Sequence, residues 1–293
     1  MTPVTGIIND PEIIWRFAGE LDVTIDAMDL VNSDHGDAIY RGDTLNPQIA
    51  GTAVDMAARV GLRSEKWPDQ ALHKIFYRQL DHAVKNGYEN EALKNLAQIR
   101  SCGSVNDIQA IYNMVSYDYL DGLPADNQER LRILALSTED NQQIMNLASR
   151  TVQFFKKYDR PLSIGFNLSD YRTCETPAVD GEIDYLGRDG VWDIKTESWY
   201  TRLYGNAPFI TDPSDDDGYK YPVSRRNLLQ VILYYLIGLH CHDAGVFENM
   251  NYLGIYNARY DMGAKIDIDQ LPQAMMHDLE VNTLGVKPDV AKF

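Results

Sequence analysis

Basic residues are scarce in this chain. Against 43 Asp and Glu there are only 27 Lys and Arg, a formal net charge of -16 over 293 residues. Charge of that sign repels a polyanion, which excludes tight, non-specific attachment to nucleic acid through overall charge. It leaves room for a local basic groove or for a site that works through metal ions. Cysteine is scarcer still. Cys102, Cys174 and Cys241 stand alone, with no C-x-x-C pair, so zinc-ribbon, iron–sulfur and disulfide frameworks are excluded. A reducing, cytoplasmic setting is the expectation. Long apolar runs are also missing. The longest, Val231–Leu239, is far short of a membrane span. The opening MTPVTGIINDPEIIWRF has no basic stretch followed by an apolar one, so no signal peptide is expected. His73, His82, His240, His242 and His277 form no H-x-x-x-H zinc pair. Asp215-Asp216-Asp217-Gly218 lacks the remaining spacing of a calcium loop. There is no internal repeat.

What is present is enough apolar residue, 44%, to build a packed core. Residues 1–45 are mixed and give no clear pattern. Asn46 before Pro47 predicts a helix start, and Ile49, Ala53, Met56, Ala57 and Val60 recur at helical spacing. From 68 to 158 the pattern is almost wholly helical. Its stripes are Leu72/Ile75/Phe76/Leu80, Ile108/Ile111/Tyr112/Val115 and Ile144/Leu147/Ala148/Thr151/Val152/Phe155. Breaks fall at Gly87, Ser101–Gly103 and Gly122–Pro124. The character then changes. Residues 161–168, 178–186 and 190–198 are short, alternating and β-rich, with a turn at Arg188-Asp189-Gly190 that predicts a hairpin. A loop rich in Tyr, Pro, Asp and Gly covers 199–222. Ser224 caps a helix to about His242, Asn251–Arg259 and Ala264–Ile268 read as strands, and a last helix starts near Asp269. The expected class is α/β around one mixed sheet, divided into an N-terminal segment with the first core helix (1–60), a helical insertion (61–160) and a sheet-bearing core (161–293).

Chemistry concentrates in GEIDYLGRDGVWDIKT, residues 181–196. On a strand, positions i and i+2 share a face, so Asp193 and Lys195 point the same way, as do Glu182 and Asp184. If the two strands pair, their carboxylates converge. Carboxylates with a nearby backbone carbonyl suit a hard cation such as Mg²⁺. Charged residues at i and i+2 are more often a solvated face. Here Val191, Trp192 and Ile194 predict a largely buried strand, where lone charges are costly, and Lys195 alone among the lysines has an acidic residue two places earlier. Further along, NLLQVILYYLIGLH is apolar nearly all round, which predicts a buried helix. Gln230 and Tyr234 lie one turn apart on it. They read either as satisfied core residues or as a pair facing the carboxylates. Arg225 and Arg226 in its first turn oppose the helix-dipole preference and are candidates for phosphate contact, as solvated arginines are equally.

Taken together, Gly181-Glu-Ile-Asp184, Asp193-Ile-Lys195 and Gln230-Val-Ile-Leu-Tyr234 resemble the PD-(D/E)xK nuclease superfamily, in particular its RecB-like exonuclease branch. The resemblance covers 178–196 and 224–257, and 47–60 loosely. It implies a restriction-endonuclease-like αβββαβ core with a mixed central sheet and, here, a large all-helical insertion. It implies that Asp184, Asp193 and the Ile194 carbonyl hold Mg²⁺, with Mn²⁺ as a substitute. Lys195 would be the catalytic lysine, and Gln230 and Tyr234 its supporting pair. Gly51-Thr-Ala-Val-Asp55 occupies the place where the branch carries a glycine followed by His or an acid, so Asp55 is a further metal candidate and equally an ordinary helical Asp. Glu182 is the acid the pattern leaves out. The implied activity is phosphodiester hydrolysis, in DNA first, with exo- and endonucleolytic modes both open. Nucleic acid is the expected partner, with a protein partner or homo-oligomer alongside it and no membrane. The branch's four-cysteine cluster site is absent. Two other readings stand beside this one: an inactive nuclease-fold protein that binds nucleic acid or protein, and an interaction module whose working part is 61–160.

Overall fold

The structure is a computed structural model that describes residues 2–32, 46–62, 70–102, 107–132, 134–159, 161–168, 179–196, 223–241 and 244–293. The expected loop at 199–222, with its Asp215–Gly218 turn, lies outside the described residues, as do Cys174 and His242. The chain forms two compact units, one from residues 1–36, 158–195 and 199–293, the other from 37–157 and 196–198. Among the described residues there are thirteen α-helices and one open six-stranded mixed sheet, an α/β architecture.

The first unit opens with β1 (Thr2–Pro3), α1 (Val4–Ile7), α2 (Pro11–Arg16), α3 (Ala18–Ala27) and β2 (Asp29–Asn32). The second unit supplies α4 (Pro47–Leu62), α5 (Gln70–Ile75), α6 (Tyr77–Lys85), α7 (Glu89–Cys102), α8 (Ile108–Ser116), α9 (Ala125–Arg132) and α10 (Thr138–Tyr158). Asn46 caps α4 as expected, its Oδ1 accepting from Gln48 N at 2.9 Å, and Ser137 Oγ caps α10 by accepting from Asp140 N at 3.0 Å. Ile49, Ala53, Met56, Ala57 and Val60 are all buried, as are Ile108, Ile111, Tyr112 and Val115. Gly87 and Gly122 end their segments with positive φ, 82° and 78°, which glycine adopts without a Cβ clash.

The first unit resumes with β3 (Pro161–Asn167), β4 (Val179–Asp180), β5 (Glu182–Gly187), β6 (Gly190–Lys195), α11 (Arg225–Leu239), α12 (Ala244–Phe247), β7 (Tyr252–Asn257), β8 (Met262–Asp267) and α13 (Gln273–Asp278). Sheet order is β2-β8-β7-β6-β5-β3. Strands β3, β5 and β6 form an antiparallel meander. The chain then passes through α11 and returns as β7, parallel to β6, as a helical crossover allows. Strands β8 and β2 extend the sheet antiparallel. Three expectations need adjusting. The stretch 178–186 is two elements, because Val179–Asp180 pairs with Thr2–Pro3 in a separate small ribbon. The strand expected over Asn251–Arg259 is shorter, Tyr252–Asn257, and lies inside the sheet with β8 and β2 beyond it. The last helix starts at Gln273, after a 3₁₀ turn at Ile268–Gln270, since Pro272 forms its cap.

Helix α11 is buried along most of its length, with Leu228, Leu229, Val231, Ile232, Leu233, Leu236 and Ile237 in one core with Ile183, Leu186, Val191, Leu253, Ile255 and Ile266 of the sheet. Trp192, on the other face of β6, is held differently. Its Nε1 donates to Asp159 Oδ2 at 3.1 Å, and Tyr252 OH donates to the same oxygen at 2.7 Å. Asp159 Oδ1 accepts from Arg188 N in the hairpin turn at 3.0 Å. The Trp192 and Tyr252 rings meet edge to face, 5.6 Å apart. One buried carboxylate thus pins the β5–β6 turn and the β6–β7 pair together. Asp159→Ala strands three donors, and burying such donors unpaired costs roughly 1–3 kcal/mol each. Urea unfolding of this variant is expected to show a loss of at least about 2 kcal/mol, and a loss below about 0.5 kcal/mol would contradict the assignment.

Candidate active site

Strands β5 and β6 are joined by the two-residue turn Arg188–Asp189 and pair at Leu186↔Val191 and Tyr185↔Trp192. One step further, the register sets Asp184 opposite Asp193. There the backbone pairing stops. In its place Asp184 Oδ2 accepts a hydrogen bond from Ile194 N at 2.9 Å. A carboxylate has replaced a strand carbonyl, so the hairpin splits at the two acids.

Asp193 is buried, with 1% of its side chain exposed, and its Oδ2 lies 2.6 Å from Lys195 Nζ. The contact is ionic, because Oδ2 accepts no well-directed hydrogen bond. Lys195, at 15% exposure, donates from Nζ to Gln230 Oε1 at 2.9 Å. Lysine only donates, so the Gln230 amide must present its oxygen there. Its Nε2 then donates to Tyr234 OH at 2.8 Å. The Gln230–Tyr234 contact is the expected pair one turn apart, and Ser224 Oγ caps α11 by accepting from Asn227 N at 3.1 Å. Asp184, Asp193, Lys195, Gln230 and Tyr234 therefore form one continuous group on β5, β6 and α11.

Electrostatics follow from this packing. Burial pushes the Asp193 carboxyl up to about 8. The nearby Asp184 charge adds to the rise, and Lys195 opposes it without cancelling it. Burial likewise holds the Tyr234 phenol well above its ordinary value, reinforced by Asp193, Asp184 and Glu182. Tyr234 therefore stays protonated and acts here through hydrogen bonds. Glu182, half-buried, shares the face of Asp184.

Each remaining expected residue has its own surroundings. Arg225 donates from Nε and a terminal nitrogen to both oxygens of Asp22 on α3, at 2.6 and 2.5 Å. That bidentate pair offsets its unfavourable place in the first turn of α11. Arg226 is exposed. Asp55 lies on α4 in the second unit, where Arg59, itself buried, binds Oδ1 at 3.0 Å and Oδ2 at 2.7 Å. Asp55 is thus engaged by an arginine one turn away on its own helix. Asn257 gains weight. The parallel register sets it beside Lys195. It is buried, and its Oδ1 accepts from Arg259 N at 3.0 Å. Its signal in the sequence is its position at the end of a strand parallel to β6.

Among the described residues no group of three or more His, Cys, Asp or Glu side chains is placed to hold a metal ion. The Asp184–Asp193 pair nevertheless fits a hard divalent cation. It supplies carboxylate oxygens, and the burial and mutual repulsion of the pair, which Lys195 offsets only in part, are what a cation relieves. Comparison with protein-family models, with curated proteins and with solved structures finds no match.

The raised Asp193 carboxyl has a testable sign. A carboxyl whose folded value exceeds its unfolded one favours the protonated fold. Its contribution is whole below the ordinary carboxylate value of 3.8 and is lost as pH rises toward about 8. In chelator, Asp193→Asn is expected to gain thermal stability relative to wild type across that window, reaching roughly 2–6 °C at pH 8. Parallel pH profiles of the two melting temperatures would contradict this.

Proposed function

We propose that the protein is a metal-dependent nuclease of the PD-(D/E)xK class, built on a restriction-endonuclease-like core. The reading is carried by the unbroken chain of contacts from Asp184 and Asp193 through Lys195 to Gln230 and Tyr234. The β3–β5–β6 meander followed by α11 and parallel β7 supports it, since this is the strand and helix order the αβββαβ core requires. In this reading Asp184, Asp193 and the Ile194 carbonyl hold Mg²⁺ or Mn²⁺. The bound ion supplies an acidified water and a counter-charge for the phosphate.

The chain's own groups have distinct tasks. Asp193, buried and close to Asp184 at the splitting point of the hairpin, would be ionised by a cation bound between the two acids. The Lys195 ammonium is held beside it by Gln230, where it can bear on negative charge developing in a phosphodiester. Gln230 fixes the ammonium's direction because its own amide is fixed by Tyr234. The substrate is a nucleic acid, DNA in the first instance. The acidity of the chain restricts where a polyanion can approach, so affinity is local to the site rather than spread over the surface.

Incubation of the purified full chain with single- and double-stranded DNA and RNA, in Mg²⁺ or Mn²⁺ and in chelator, tests this. Cleavage dependent on the metal is expected, falling about 10²-fold or more in Lys195→Ala and Asp193→Ala. Absence of cleavage on all four substrates, or cleavage that survives both substitutions, would overturn the reading.

A further inference from the structure

Gly181 stands immediately before β5. Its backbone is not left-handed, so the absence of a side chain is not explained by φ. The explanation is steric. A Cβ placed there would lie 2.6 Å from Cε1 and 3.1 Å from Cδ1 of Tyr234, and 3.2 Å from Cγ2 of Val4. The first distance is below any real contact of a Cβ. The Tyr234 ring leans on the bare backbone of Gly181, and Val4 flanks the same point.

That point is held from several sides. Thr2 and Pro3 pair with Val179 and Asp180, and Gly181 O accepts from Leu168 N at 2.8 Å. Val4, at the start of α1, shares the core of α11. The ring's position sets its hydroxyl, to which Gln230 Nε2 donates, and Gln230 Oε1 receives Lys195 Nζ.

We propose that Gly181 is a positioning residue: the space left by its missing side chain sets the Tyr234 ring, and through Tyr234 and Gln230 it aims the Lys195 ammonium at Asp193. The inference rests on the nuclease reading for its consequence in catalysis, but its geometry can be read without activity. Gly181 touches no reacting atom in this account and acts only through Tyr234. Adding one methyl group there moves the ring, breaks the Gln230–Tyr234 hydrogen bond and loosens the ammonium, while surfaces that bind substrate stay in place.

The test is a double-mutant cycle in the full chain with Gly181→Ala, Tyr234→Phe and the pair, read by Mn²⁺-dependent cleavage and by the side-chain amide signal of Gln230 in ¹H–¹⁵N spectra. Gly181→Ala is expected to lower kcat about tenfold or more with KM within about twofold. In the Tyr234→Phe background the same change is expected to matter by less than about twofold, because residues acting in series are not additive. The Gln230 amide signal should move in Gly181→Ala and in Tyr234→Phe. It should stay put in Val286→Ala, a core truncation away from the site. If Gly181→Ala does not fold, Gly181→Ala/Tyr234→Leu should, since the clashing ring is gone. An unmoved Gln230 signal, additive losses in kcat, or failure of the Leu variant to rescue folding would overturn the inference. Should wild type show no cleavage, the nuclease reading fails on that ground while the Gln230 signal still decides the role of Gly181.

Discussion

Two carboxylates facing each other inside a protein are a problem in electrostatics, and the sheet-bearing unit is organised around it. Asp184 and Asp193 stand opposite on a hairpin that splits where they meet. Burial alone disfavours charge on Asp193, and Asp184 makes it worse. The structure answers with the Lys195 ammonium beside Asp193 and the Ile194 N–H on Asp184. It does not answer in full, because the carboxyl still sits far above its ordinary value. A buried pair left short of compensation is poor for stability, and such strain gathers where groups are set for chemistry or for binding a cation.

Strand β6 carries this arrangement because its alternation separates two tasks. Trp192 points to one face, where Asp159, Tyr252 and the Arg188 N–H grip the strand and its turn. Asp193 and Lys195 bracket Ile194 and point to the other, under Gln230 and Tyr234 of α11. The helix itself is anchored by its apolar residues throughout, so two polar side chains at i and i+4 can be presented at fixed height over the sheet. Rigidity on one face of the strand sets the position of charges on the other to within a hydrogen-bond length.

Much of this was legible in the sequence for a physical reason. Period-2 spacing put Asp193 and Lys195 on one face, and the hairpin turn expected at Arg188-Asp189-Gly190 brought Asp184 toward them. A helix apolar all round had to be buried, so its Gln230 had to find a partner. The rest depends on contacts far apart in the chain, which spacing does not encode. Strand β2 has only four residues with no fully buried position, too weak a pattern to show, yet it completes the sheet. The grip of Asp22 on Arg225 spans 203 positions, whereas that of Arg59 on Asp55 is a local i, i+4 pair within reach of spacing. The bed for Tyr234 at Gly181 was in view as part of a motif, but its reason, a ring resting on bare backbone, appears only when the helix is laid over the strand.

In the nuclease reading proposed above, Asp184 and Asp193 share a divalent cation. Crystals of the full chain soaked in Mn²⁺ and measured for anomalous scattering at the manganese edge test it most directly. A single strong peak in contact with both carboxylates, lost in Asp193→Asn, is expected. No peak at saturating Mn²⁺, with Asp193 still closed on Lys195, or a peak away from both acids would contradict it.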